Sequence, residues 1–212
     1  MKTILFQGDS ITDCGREYNA ENYNHPAQLG RGYVNCIASR LLLDNPNAYT
    51  IINKGISGNR VVDLYARWKM EALNLNPDII SIHIGVNDVW HEFARQNGVD
   101  CKRFEQIYRM MLEWTLEVLP NVKFLIMEPF ALQSENVVTP EFMEQLAPYG
   151  QIARKIANEF NAVFLPLQDK LNEAAKLAPN TYWLYDGVHP APAGNQLIAD
   201  AWLEAAKPLL EK

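Results

Sequence analysis

Hydrophobic residues along the chain follow two alternating rhythms. Short, nearly continuous apolar runs occupy residues 1–6, 49–53, 79–84, 122–127 and 162–167, each followed by polar or turn-forming residues. Runs of this length, rich in Ile, Leu, Val and Phe, predict buried strands. Between them apolar positions recur every three to four residues. Val34, Ile37, Ala38, Leu41 and Leu42 make one such stripe; Val61, Leu64, Tyr65, Trp68 and Leu73 a second; Ile107, Met111, Trp114, Leu116 and Val118 a third. Each is the buried face of an amphipathic helix. A further helical pattern runs from Pro140 to Phe160, with a break expected near Pro148, and a final one carries Leu197, Ile198, Trp202 and Leu209. Strand and helix alternate through five units without repeat or linker. That order predicts an α/β fold: a three-layer α/β/α sandwich around a five-stranded parallel sheet, with residues 1–212 as one domain.

In such a sheet ligands bind beyond the carboxyl ends of the strands, so the loops that follow the runs are the ones to read. The first run leads into Gly8-Asp9-Ser10, the second into Lys54-Gly55-Ile56-Ser57-Gly58-Asn59, and the third into Gly85-Val86-Asn87-Asp88. Residues 13–31 show no period and contain Gly15, Pro26 and Gly30, which predicts a long loop overhanging the site. Arg16, Tyr18, Tyr23 and His25 are its candidates for substrate contact. His83, inside the third run, reads as a hydrogen-bonded core residue, and His91 as a residue of the site's rim.

Composition narrows the partners. With 48% hydrophobic and 21% charged residues the chain is an ordinary globular protein, long enough to bury a full core. A net charge of -6 and a pI near 5.3 provide no basic footprint for nucleic acid or an anionic membrane, and favour a small neutral or polar substrate. No apolar run reaches membrane-spanning length and no export signal precedes the first strand, so the expected location is cytoplasmic. Cys14, Cys36 and Cys101 lack the spacing of a disulfide framework or zinc site and read as reduced thiols. Cys14 could line the same crevice as Ser10, without a catalytic role. No cofactor or metal is implied, and a homo-oligomer remains open.

The chemistry lies in residues scattered over the whole length. Ser10, held at a strand end, is the candidate nucleophile. A serine hydroxyl needs an imidazole to take its proton, and the imidazole needs a carboxylate to fix its tautomer. Asp186 and His189, three residues apart in Asp186-Gly187-Val188-His189-Pro190, can supply both from one tight loop. A tetrahedral oxyanion further needs fixed donors, and the backbone N–H groups of Ser10 and Gly58 with the Asn87 amide would converge if three strand ends lie side by side. Trp90, Trp183 and Tyr185 offer flat walls for a sugar or a short acyl group, and Asp9 is a further candidate contact.

Gly8-Asp9-Ser10-Ile11, Gly58, Gly85-Val86-Asn87-Asp88 and Asp186-Gly187-Val188-His189-Pro190 together resemble the four ordered sequence blocks of the GDSL/SGNH hydrolases. The longer strings around Cys14-Gly15-Arg16, Asn53-Lys54-Gly55 and Asn87-Asp88-Val89-Trp90 are similar to the branch that contains xylan acetyl esterases. The resemblance implies a flavodoxin-like sandwich and metal-free ester hydrolysis. It implies Ser10, His189 and Asp186 as the triad, and Ser10, Gly58 and Asn87 as the oxyanion hole. Ile11 stands where the family has leucine, and Gly187 departs from the pattern beside His189. The expected substrate is an acetylated sugar or oligosaccharide. The rivals are a lysophospholipase or thioesterase for longer acyl chains, a metal-dependent phosphoesterase using Asp9, Asp13, Asn87, Asp88 and His189, and a non-catalytic sugar-binding module.

Overall fold

The computed structural model describes residues 1–19 and 22–211. The five apolar runs form strands β1 (Lys2–Gly8), β2 (Tyr49–Asn53), β3 (Ile79–His83), β4 (Lys123–Met127) and β5 (Val163–Leu165). All pair in parallel, in the order β2-β1-β3-β4-β5. This is the flavodoxin-like order, whose strand sequence reverses between β1 and β3 and opens a crevice at their carboxyl ends. The helices are α1 (Ser10–Asp13), α2 (Pro26–Leu29), α3 (Tyr33–Asp44), α4 (Val61–Glu71), α5 (Val86–Arg95), α6 (Cys101–Val118) and α7 (Pro140–Glu159). They continue with α8 (Gln168–Ala174), α9 (Asn180–Trp183), α10 (Pro192–Ala205) and α11 (Lys207–Leu210).

Strand alternation decides which layer each side chain joins. Phe6 packs against Tyr33 of α3 and Trp202 of α10, with ring centroids 6.0 and 5.2 Å away. Its neighbour Gln7 points to the opposite face, where Nε2 donates to the Glu71 carbonyl at the end of α4 (2.6 Å). Ser81, in register with Phe6, accepts the indole N–H of Trp202 at 2.9 Å. On the other layer Trp68 of α4 donates to Thr115 Oγ1 of α6 (2.8 Å). Each buried indole therefore brings its polar atom to a partner placed by another element. Among the described residues no helix is long and apolar enough to cross a membrane.

Two local expectations fail for identifiable reasons. Helix α7 runs unbroken through Pro148, because burial of Phe142, Leu146, Tyr149 and Ile156 along its inner stripe offsets the missing hydrogen bond. The stretch after β3 becomes helix α5 directly, with Gly85 at φ 134° as its cap. The polar pair Asn87-Asp88 had hidden a helical face formed by Val86 and Val89.

Trp202 ties α10 to the sheet by packing on Phe6 and bonding to Ser81. Trp202→Ala should cost about 3–5 kcal/mol in urea unfolding. Trp202→Phe, which keeps most of the ring but strands the Ser81 oxygen, should cost about 1–3 kcal/mol. Equal losses in the two variants would place the energy in the hydrogen bond and not in the packing.

Candidate active site

The turn that presents Ser10 is only four residues long and is held from outside. Asp9 Oδ1 caps it by accepting the Ile11 N–H at 3.0 Å, and Cys14 closes it in the left-handed region at φ 40°. At the end of β2 the Asn53 amide donates to the carbonyls of Thr12 (2.7 Å) and Leu29 (2.9 Å), while its oxygen accepts the Gly55 N–H. Asp13 Oδ1 accepts from the backbone of Gly15 and Arg16, and Oδ2 from the Ser57 N–H (3.0 Å) and the Tyr18 hydroxyl (2.6 Å). The two loops meet so closely that a Cβ on Gly55 would lie 2.3 Å from the Asp13 nitrogen. The sequence offered Asp13 only as a possible metal ligand and Asn53 only within a family-like string; the signal for their structural part was a polar residue at, or just beyond, the carboxyl end of an apolar run.

Opposite this turn the segment 184–190 folds back on itself, with a bridge between Leu184 and Pro190 and with Gly187 at φ 96°. Asp186 Oδ1 accepts the backbone N–H groups of Val188 (2.9 Å) and His189 (2.7 Å), which leaves Oδ2 facing His189 Nδ1 at 2.6 Å. His189 Nε2 lies 2.8 Å from Ser10 Oγ. An ionised carboxylate can only accept, so the imidazole proton sits on Nδ1 and the Nε2 lone pair faces the hydroxyl. Partial burial works to raise the Asp186 pKa, but the hydrogen bonds from His189 and Val188 outweigh it and hold the carboxyl below its ordinary value. Burial works against the charged form of His189; the Asp186 bond and charge prevail and hold its pKa above 6.5.

Donors face the same crevice. The Ser10 and Gly58 backbone N–H groups have no acceptor among the described residues. Gly58 sits at φ 81° with open space where a Cβ would project, so its conformation and not crowding calls for glycine. One N–H of the Asn87 amide donates to the Asn59 carbonyl at 3.1 Å, which orients the group and leaves its second N–H free. Ser10, Gly58 and Asn87 follow β1, β2 and β3, which lie adjacent in the sheet.

The structure redistributes the other expected contacts. Arg16, Tyr18 and Cys14 line the cavity beside Ser10 and His189, together with Arg31, Ser57 and Tyr185. Burial pushes the Cys14 thiol pKa up, which keeps it protonated. Tyr185 stacks on the His189 ring at 5.7 Å and Trp90 leans on it at 5.8 Å. Asp9 is no substrate contact: it is fully buried behind the turn, and burial raises its pKa to about 7. Trp183 also leaves the site, facing a groove between α8 and α10 because its neighbour Leu184 turns into the core. His25 caps α2 with Nδ1 instead of facing the crevice. His83 is a core residue stacked on Phe130, but its ring nitrogens lack hydrogen-bond partners, and burial lowers its pKa to about 4. The rival ligand set does not gather: Asp13 is saturated by its four donors, and both Asp88 oxygens face the Val61 N–H. Among the described residues no cluster of three or more His, Cys, Asp or Glu side chains has the spacing to hold a metal ion.

The flavodoxin-like sheet with this crevice at its switch point is the α/β fold of the SGNH hydrolases. The chain belongs to the GDSL-like lipase/acylhydrolase family, which residues 6–197 match, and its members are carboxylic ester hydrolases. It is 37% identical over 207 residues to an acetylxylan esterase of Geobacillus stearothermophilus, covering 94% of this chain and 91% of the relative. The crystal structure of that organism's acetylxylan esterase Axe2 superposes with a TM-score of 0.88 at 33% identity, over 97% of this chain and 94% of the other. A Parabacteroides merdae protein described as a GDSL-like lipase superposes with a TM-score of 0.94 at 41% identity, over 99% and 96% of the two chains.

Two pH effects follow. If His189 must be neutral to accept a proton, kcat/KM for ester hydrolysis should fall on the acidic side with an apparent pKa above 6.5. A midpoint below that value would contradict the influence of Asp186. Folded Asp9 holds its proton up to about pH 7, whereas the unfolded residue loses it near 3.8, so stability declines as pH rises between those values. Asp9→Asn keeps the Oδ1 cap and should flatten that decline by a few degrees of Tm between about pH 5 and about pH 8. An unchanged pH dependence would clear Asp9 as its source.

Proposed function

We propose that the chain is a one-domain serine esterase that removes short acyl groups, above all acetyl, from hydroxyls of carbohydrates. The observation that carries this reading is the series Ser10 Oγ, His189 Nε2 at 2.8 Å and His189 Nδ1 to Asp186 Oδ2 at 2.6 Å, open to a cavity of about 580 Å³. Ser10 Oγ attacks the acyl carbonyl while its proton passes to His189 Nε2. The imidazolium formed is stabilised by Asp186, and the oxyanion by the N–H groups of Ser10 and Gly58 and the free N–H of Asn87. His189 then returns the proton to the departing alcohol oxygen. Water, deprotonated by the same imidazole, cleaves the acyl-enzyme and releases the acid.

The cavity wall supports a short acyl group on a polar alcohol. Ile11 and Pro190 are its aliphatic members, beside Asp13, Arg16, Arg31, Ser57, Tyr18 and Tyr185. A long acyl chain would lie against charge, whereas a sugar ring could stack on Tyr185, which is 61% exposed, and hydrogen-bond to its neighbours. The Geobacillus relatives support the same choice, being acetylxylan and acetyl-xylooligosaccharide esterases. Solved catalytic mutants of Axe2 replace a serine, and an aspartate and histidine spaced three apart, as Asp186 and His189 are here.

The decisive measurement is acetate release from acetylated xylo-oligosaccharides. The wild type should release it with EDTA present, and Ser10→Ala should lose about 10⁴-fold or more. Faster turnover of p-nitrophenyl octanoate than of the acetate would instead establish the long-chain reading.

A further inference from the structure

The wall of the Ser10 cavity carries cationic groups that the mechanism does not use. Arg16 is only 7% exposed, yet it has no ion pair among the described residues. Its Nε donates to the Gly55 carbonyl at 2.7 Å and its guanidinium lies 4.5 Å from the centre of the Tyr18 ring. Those contacts fix the plane of the group but leave its Nη donors without an acceptor among the described residues. Arg31 lines the same cavity from the next loop. A Cβ on Gly15 would meet its Nη2 at 2.6 Å, so this second guanidinium lies directly over the residue that precedes Arg16. Its side chain likewise has no acceptor or ion pair among the described residues.

The nearby anion does not consume these donors. Asp13 is the carboxylate that shares the cavity wall with them, and its oxygens already accept from Gly15, Arg16, Tyr18 and Ser57, with only the backbone N–H contributed by Arg16. Asp186 is turned to His189 and the Val188 N–H. The unfilled donors of both guanidiniums reach solvent in the cavity, so an entering anion can take the place of water there with charge-assisted hydrogen bonds. The overall charge of -6 masks this local balance, which is why composition alone favoured an uncharged substrate.

We propose that Arg16 and Arg31 form a carboxylate-binding subsite, and that the preferred substrate is an acyl ester of an acidic sugar whose carboxylate reaches them while its ester lies at Ser10. The planar fork of an arginine matches a carboxylate with two parallel hydrogen bonds. Uronic acids are a sugar class that carries that group on the ring. Arg16 is the fixed member, held by Gly55 and Tyr18, and Arg31 the adaptable member at the rim. The substrate assignment rests on the carbohydrate-esterase reading above; the anion subsite does not.

Competition against p-nitrophenyl acetate hydrolysis tests the subsite without any sugar ester. Free glucuronate should inhibit competitively and glucose should not, and the inhibition should weaken with added salt. Arg31→Gln, a change at an exposed position, should weaken glucuronate inhibition about tenfold. Equal inhibition by glucose and glucuronate, an unaltered inhibition constant in Arg31→Gln, or inhibition by inorganic phosphate alone would each overturn the proposal. For the substrate, acetate release is compared between acetylated xylo-oligosaccharides with and without a glucuronate branch. The ratio of kcat/KM should favour the branched ester about tenfold and fall towards one in Arg31→Gln. A ratio of one in the wild type overturns the substrate assignment. Glucuronate competition without acetate release from either oligosaccharide would instead reject the carbohydrate-esterase reading and leave the subsite standing.

Discussion

Everything at this site depends on one turn of helix that cannot hold itself. Four residues form too short a helix to persist in isolation, because nucleation costs more than its few internal bonds return. The turn Ser10–Asp13 is fixed instead by the edge of the neighbouring strand: Asn53 takes the Thr12 carbonyl, and Asp13 takes the Ser57 N–H. Gly55 lets the two segments touch. The Ser10 hydroxyl therefore inherits its position from β2 as much as from β1, and the Ser57–Gly58 loop is placed by the same bonds. The Ser10 turn and the Ser57–Gly58 loop are one mechanical unit.

Identical side chains acquire different chemistry here because their surroundings differ. Asp13 and Asp186 are surrounded by donors and serve as fixed acceptors. Asp9 and Asp88 are buried with fewer donors, and burial raises the pKa of both. A proton on Asp9 near neutral pH spares the interior an uncompensated charge beside Ser10. Its cap to Ile11 survives protonation, since Oδ1 can still accept. The cost of burying a carboxyl is thus met by neutralising it, while Asp186, whose hydrogen bonds favour its charged form, stays partly exposed.

The sheet, its parallel order of units and the residues in series at the site were legible in the sequence because each left a local mark. Strands β1 to β5 wrote themselves as unbroken apolar runs, and Asp186 and His189 lie within one tight loop. What escaped was set by contacts between distant segments. Helix α5 was hidden because its first turn, though buried, carries the polar Asn87 and Asp88 between Val86 and Val89, so no apolar stripe marks it in the sequence. Trp183 and Asp9 were misplaced because direction is decided by a neighbour: Leu184 is drawn into the core and turns Trp183 away, and the cap on Ile11 turns the Asp9 side chain inward. A flat ring or a carboxyl near a motif says nothing about where it points.

The segment after Ser10 is the case where this distinction matters most for function. Its lack of period suggested a lid over the crevice, yet its described parts are tied down. Gln28 and Leu29 are buried, Gln28 donates to the Asn53 carbonyl, and the Leu29 carbonyl accepts from the Asn53 amide. Arg31 bonds back to Cys14 through its backbone, and Arg16 to Gly55 through its side chain. A wall anchored at both ends can present fixed charge, which a mobile lid cannot do without first ordering itself and losing entropy on binding. Because these anchors are also the ones that position Ser10, the Arg16 and Arg31 side chains and the Ser10 hydroxyl are held in one frame. A change that loosens this wall should therefore also displace the Ser10 hydroxyl.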